Sequence, residues 1–338
     1  MTTSAQRFVA KLAFQAMLAL ACVLGSQSAM AMRCVASGGA DKFVEPIGSV
    51  QTYPVNAPDG YIIWISPTRT TTGYCYKDLR AGVSWEDPVF FYANPANMDP
   101  AAWGLEIGIR YKGVDHFGAS NQVGTGVPTG DIVPVCTTAD FDAGLCPKVP
   151  VSITYQVVVR KRGTWTGVPQ DTYPVFQFDG ARGLNCCNTS FQYILSGLEN
   201  LKPTPCIVDV TVTPEPGIVD FGQVQATPTG FSPTAPTRPF SLALTKQQCT
   251  TSVKINGYFQ TSNPLQDGLV LPSADSRFGI SIQDRTGKML PIGEPFSLAT
   301  FSPSDTYIDV PMTATLKPLG APKIGPFTAV VTVQILYD

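Results

Sequence analysis

Histidine is nearly absent: His116 is the only one in 338 residues, and charged residues make up 14% of the chain. A serine–histidine or cysteine–histidine centre would depend on that one imidazole, and no GxSxG elbow offers a serine for it. Glu86 and Asp87 are paired carboxylates, but adjacent residues on a strand face opposite ways, a poor arrangement for glycosidic cleavage. The CxxC pairs of zinc sites are missing, so no metal or other cofactor is expected, and neither is an enzyme. A formal charge of −2 offers no general attraction to nucleic acid. No stretch keeps a long helical period, and past residue 25 no apolar run approaches a membrane span.

Turn formers are plentiful, with 30 glycines and 30 prolines. At the start, Arg7 and Lys11 precede the apolar run Leu12–Gly25 and the small-x-small triplet Ala29-Met30-Ala31. That order predicts a signal peptide over 1–31, cut after Ala31, and an exported product. The run is too short to anchor in a bilayer. Eight of the nine cysteines lie beyond it, and an even number in an exported chain suggests four disulfides.

Between clusters of Gly, Pro, Asn and Asp lie short runs rich in β-branched and aromatic residues. In the first half they are 60–66, 88–93, 103–112, 149–162, 173–180 and 190–197. Leu105, Ile107, Ile109 and Tyr111 alternate with polar or small residues, as a half-buried antiparallel strand requires. The composition breaks at Gly197–Cys206, where Pro203 and Pro205 stiffen a short linker. A second series follows at 206–212, 217–224, 238–244, 251–259, 278–284 and 309–316. The expected fold is all-β, with two β-sandwich domains: 32–200, a linker at 201–205, and 206–338.

The chain ends on "GPFTAVVTVQILYD", Gly325–Asp338. Phe327, Ala329, Val331, Val333, Ile335 and Tyr337 form one apolar register; Thr328, Thr332 and Gln334 form the other, interrupted by Val330 and Leu336. A strand is predicted to the last residues. With no strand after it, such a strand is an aggregation hazard unless another protein pairs with it.

The second half, with "PCIVDVTVTPEPGIVDFGQV", Cys249 in "KQQC", Gly325 and the next-to-last Tyr337, resembles the pilin domain of chaperone–usher fimbriae. The first half, with Cys34 and Cys75 and the late strands before the linker, is similar to the lectin domain of type 1 fimbrial adhesins. The resemblance implies an immunoglobulin-like sandwich lacking its last strand. A periplasmic chaperone and then an adjacent subunit would fill the gap by β-strand addition, during assembly through an outer-membrane usher. Gly325, Phe327, Ala329, Val331, Val333, Ile335 and Tyr337 would line the groove, and Asp338 would anchor the chaperone. Only Met32 and Arg33 would precede Cys34 in the mature chain, so no donor strand is expected. That places the subunit at the fibre tip on the bacterial surface, as an adhesin.

The ligand implied is a host glycan. In the resembling lectins the pocket takes the mature N-terminus, here Met32, and an Asn-Asp pair after the second cysteine, here Lys77 and Asp78. Planar acceptors and aromatic faces suited to a sugar occur at Tyr76, Asp78, Trp85 and Glu86, and at Trp165, Asp171 and Asp179 on a long insertion, Trp165–Thr189. Trp85 and Trp103 are also natural core residues, and Asp140 and Asp142 suit a solvated turn. A matrix protein as ligand, or a purely structural tip subunit that initiates assembly, are the alternatives. The resemblance further implies Cys34–Cys75 and Cys206–Cys249 bridges. Cys136 and Cys146 are expected to bridge to Cys186 and Cys187 in an open pairing, because a bridge between the two adjacent cysteines would be strained.

Overall fold

The computed structural model describes residues 32–118, 126–181, 183–184, 190–247 and 249–338. The signal peptide, Cys186 and Cys187 lie outside the described residues. No helix among the described residues is long and apolar enough to cross a membrane.

Among the described residues the first half holds twelve strands: β1 (Met32–Ala36), β2 (Lys42–Pro46), β3 (Gln51–Pro54), β4 (Ile62–Ile65), β5 (Arg69–Lys77), β6 (Asp87–Ala93), β7 (Leu105–Tyr111), β8 (Val114–His116), β9 (Val127–Val133), β10 (Val149–Lys161), β11 (Thr172–Gly180) and β12 (Gln192–Ser196). One sheet runs β1-β5-β10-β7-β8, with β4 also pairing β10; the other runs β2-β12-β11-β6-β9. Their facing sides enclose Phe91, Ile107, Ile109, Val157, Phe176 and Tyr193. The threonine-rich β5 and the edge strand β9 escape the periodicity reading because few of their inward positions are apolar, and the edge strands β1 and β2 because each is only five residues long. The Cys34–Cys75 bridge ties β1 to β5 at directly opposed positions.

The linker at 201–205 is more than a spacer. Leu201–Thr204 forms β13, hydrogen-bonded in parallel to β3. Ten shorter or longer strands follow it before the tail: β14 (Ile207–Thr213), β15 (Gln225–Thr227), β16 (Gly230–Ser232), β17 (Thr237–Gln247), β18 (Val253–Gln260), β19 (Leu265–Gln266), β20 (Leu269–Val270), β21 (Phe278–Asp284), β22 (Pro295–Phe301) and β23 (Tyr307–Pro318). The tail strand is β24 (Thr332–Tyr337). One sheet of this half runs β14-β17-β23-β21-β20-β19, and a second runs β22-β18-β24. The Cys206–Cys249 bridge closes the end where β14 meets β17.

Three expectations are corrected. The run 217–224 forms no strand, and the tail becomes a strand only from Thr332. Pro326 cannot donate to a ladder, and the Phe327 ring is drawn into an aromatic group, 5.0 Å from Phe278 and 6.3 Å from Phe221. Cys136 and Cys146 bridge each other rather than reaching Cys186 and Cys187. A single-turn helix, α1 (Thr138–Asp142), brings them within reach; the Thr137 hydroxyl accepts from the Asp140 amide to start it. Asp140 and Asp142 therefore belong to α1, and Asp142 pairs with Arg80 at 2.9 Å.

The two halves share a buried joint. Ile62, Ile65 and Val158 pack against Tyr258 and Leu336, with Phe117 beside them. Asp115 binds both Arg110 and Arg160, and Arg110 also reaches the Tyr258 hydroxyl. The Gln156 amide donates to the Gly293 carbonyl at 2.8 Å. This explains two departures from strict alternation. Along β10, Ser152 and Thr154 are exposed, whereas Gln156 and Val158 in the same register are buried where the second half covers them. In the tail, Val333, Ile335 and Tyr337 face their own sandwich, while Leu336 in the polar register faces the joint. Leu336→Ala should therefore cost about 2–4 kcal/mol through the cavity left between the halves. The check is urea denaturation of the full chain; an unchanged midpoint would place Leu336 outside the joint.

Candidate functional site

The strand order leaves a seam. β14 pairs only with β17, and β24 pairs only with β18, among the described residues. These two edges belong to different sheets and lie along the same side of the sandwich. Between them is a cavity of 140 Å³ lined by Val212, Val219, Phe240, Leu242, Val331 and Val333, among other apolar residues. An apolar space of this size admits one leucine- or benzene-sized group. A larger hollow of 730 Å³, lined by Phe231, Phe278, Phe327 and Ala329 among others, shares Val219, Phe221 and Ile280 with it.

The seam is closed at the other end. Ile335 and Tyr337 are buried with Val208, Leu244, Ile255 and Phe301. The Tyr337 hydroxyl crosses from β24 to β14 and accepts from the Val208 amide at 2.6 Å. The predicted apolar row thus divides. Phe327, Ala329, Val331 and Val333 line open space, and Ile335 and Tyr337 complete a packed core. Gly325, at φ 139°, sits at the mouth of the hollow where a side chain would strain the turn. The Asp338 carboxylate is engaged within the chain by Lys254, Ser49 and Gln51, and the lysine holds it below the usual carboxylate range.

The residues expected to bind a ligand do not assemble in one place. Trp165 and Asp171 lie at the linker end: the Trp165 ring meets Tyr53 edge-on at 6.2 Å, and Asp171 accepts from the Gly197 amide at 2.9 Å. Asp179 is fully buried in β11, where it accepts from the Gln177 amide and the Gly180 backbone. The insertion 165–189 is thus no single loop, since β11 runs through it. Met32 is fully buried in β1 opposite Lys77. Trp85 is half-buried beyond β5. His116 sits on β8 with its ring against Phe91.

Tyr76 and Asp78 remain as neighbours at one end of the first half. A feature missed in the sequence lies beside them: Lys148 stands over the rings of both Tyr74 and Tyr76, at 5.1 and 5.5 Å. The i, i+2 spacing of the two tyrosines puts them on one face, but the lysine comes from beyond the Cys136–Cys146 loop, and only pairing of β5 with β10 brings it there. Lys77 points inward to Asp87 at 3.9 Å. Asp78 Oδ1 is buried without a hydrogen-bond partner among the described residues. Burial pushes its carboxyl up to about 6, against the pull of Arg33 and Lys77.

Residues 196–338 match the family described as fimbrial protein, in agreement with the resemblance carried by Cys206, Cys249 and the tail. Likenesses to solved structures are faint. The P pilus rod subunit PapA is 18% identical over 40% of this chain and 92% of its own, with a TM-score of 0.29. The CupB6 tip adhesin from Pseudomonas aeruginosa is 13% identical over 90% and 94%, at 0.26. The chaperone–tip subunit complex of Csu pili from Acinetobacter baumannii gives 11% identity over 89% and 99%, at 0.25.

A carboxyl raised to about 6 in the fold, against an ordinary value near 4 when unfolded, contributes stability below pH ~4 that is lost as the pH rises through 6. The full shift corresponds to about 3 kcal/mol, reduced to about 1 by the solvent that reaches the group. Asp78→Asn should accordingly be the more stable form at pH 7 by about 1 kcal/mol, with the difference vanishing toward pH 4. Thermal denaturation across that range tests it; parallel pH curves for the two proteins would contradict the assignment.

Proposed function

We propose that this chain is an exported fimbrial subunit that accepts a β-strand from another protein in the seam beside β24, and that its first half forms the outer tip of the fibre. The observation that carries the reading is the pair of unpaired edges, β14 and β24, flanking an apolar cavity. A strand entering there gains main-chain hydrogen bonds along an edge and buries alternate side chains in the hollows. By resemblance to the fimbrial family, the first donor is a periplasmic chaperone, the chain passes through an outer-membrane usher, and an adjacent subunit replaces the chaperone. In this reading the second sandwich is the incomplete one. The tip position is supported by β1, whose Met32 and Cys34 are buried in the first sandwich and are not free to act as a donor strand.

The surface around Tyr74, Tyr76, Asp78 and Lys148 is where a host glycan would bind: two aromatic faces with a cation and a carboxylate beside them. A second reading, a structural tip subunit that initiates assembly, is favoured by the dispersal of the other expected residues and by the burial of Met32 and Asp179. A glycan array on the full chain separates the two. Saturable binding lost in Tyr76→Ala supports the first; binding to collagen or fibronectin alone, or to nothing while fibres fail without the subunit, supports the alternatives.

Strand acceptance has its own test. Val331→Asp would put a charge in the apolar cavity, where no partner for it exists among the lining residues. Capture of a synthetic peptide of alternating valine and threonine, read by fluorescence anisotropy, should weaken at least tenfold while circular dichroism stays native. Equal capture by both forms would move the docking site away from the seam.

A further inference from the structure

The backbone of β24 is polarised between its two edges. The Asp338 amide donates to the Lys254 carbonyl at 3.0 Å, and the register sets Leu336 opposite Asn256 and Gln334 opposite Tyr258. Antiparallel partners alternate between bonded and non-bonded pairs. The even-numbered residues therefore direct their backbone groups at β18, and Val333, Ile335 and Tyr337 direct theirs away from it, toward the seam. The same alternation persists before the strand begins: the Val330 amide and carbonyl, on the β18 side, are held by Asn263 and Thr261 at 3.0 and 2.6 Å.

The outward carbonyl of Ile335 is already taken. The Tyr61 hydroxyl, from the first half, donates to it at 2.6 Å. Tyr61 lies just ahead of β4 on a turn closed by its own amide to the Pro58 carbonyl at 3.2 Å. One residue on, the Ile62 carbonyl accepts from the Gln334 side chain at 3.1 Å, a contact on the joint face rather than on the seam edge. Past Ile335 the Tyr337–Val208 bond closes the seam altogether. Before it, Phe327, Ala329, Val331 and Val333 border open hollows.

Resting on the strand-acceptor reading, we propose that Tyr61 is a register stop: it ends the usable edge of β24 at Val333 and so fixes how far an incoming strand can run. A strand that slips by one residue turns its side chains out of the hollows, so the competing registers differ by two residues, about 6.7 Å. A slip toward the C-terminus needs the Ile335 carbonyl, and the phenol denies it. Such stops matter where an acceptor edge is an alternating apolar row that would otherwise tolerate several registers. The first half thereby sets the alignment of assembly in the second.

The experiment uses the full chain with Thr332→Cys, an exposed position on the outward face of β24. The probes are alternating valine–threonine peptides carrying one cysteine, moved along the threonine positions, with disulfide cross-links located by mass spectrometry. With Tyr61 present, one peptide position should dominate. In Tyr61→Phe, which keeps the ring and loses the hydroxyl, a position two residues away should rise to comparable yield. Gln334→Ala removes a neighbouring contact between the halves but not the edge cap, and it should keep the single position. An unchanged single register in Tyr61→Phe would overturn the stop, as would equal broadening in Gln334→Ala, which would mean that loosening the joint suffices. If no form cross-links any peptide, the strand-acceptor reading itself falls, and the stop with it.

Discussion

The second half depends on a strand that, among the described residues, is paired on one edge only. A β-strand carries hydrogen-bonding groups on both edges, and in a finished sandwich both are paired or covered. β24 satisfies β18 on one side. On the other, the chain has used what it has: a phenol from the first half at Ile335, and the cross-seam bond from Tyr337 at Val208. Both devices sit at the C-terminal end. From Val333 backward, the side chains of Val333, Val331, Ala329 and Phe327 line hollows. The seam is therefore a one-ended slot rather than a uniform furrow.

The same strand joins the halves. Its inward register completes one core, and its outward register, through Leu336 and Gln334, completes the contact with β4 and β10. A strand buried on both faces cannot alternate apolar and polar, which is why the tail's polar register is broken by Leu336. Together with the Arg110–Asp115–Arg160 group and the β3–β13 pairing, this makes the connection between the halves an extended contact rather than a tether.

Much of the architecture was legible in the residues. The runs of β17 and β23 were readable because each keeps one face on a core and the other largely on solvent, and β7 and the first part of β10 keep an apolar register on the core. The cysteine spacing and the tail pointed to a pilin-like second half, and the family match over 196–338 agrees. What failed had physical causes. Phe327 alternates with the tail, yet it follows Pro326, lies ahead of the strand and has its ring against Phe278 and Phe221. The Cys136–Cys146 bridge depends on a single turn of helix that composition does not announce. The expected ligand residues were grouped by proximity in sequence, but β11 carries Asp171 and Asp179 to opposite ends of the first sandwich. Lys148 joins Tyr74 and Tyr76 only through strand pairing.

Amide hydrogen exchange on the full chain, with and without a saturating alternating valine–threonine peptide, addresses the central claim most directly. The Val331 and Val333 amides, which face the seam, should become strongly protected, while amides of β23 in the middle of its sheet should not change. Exchange at Val331 and Val333 that is indifferent to the peptide, or protection confined to the edges of the first half, would contradict it.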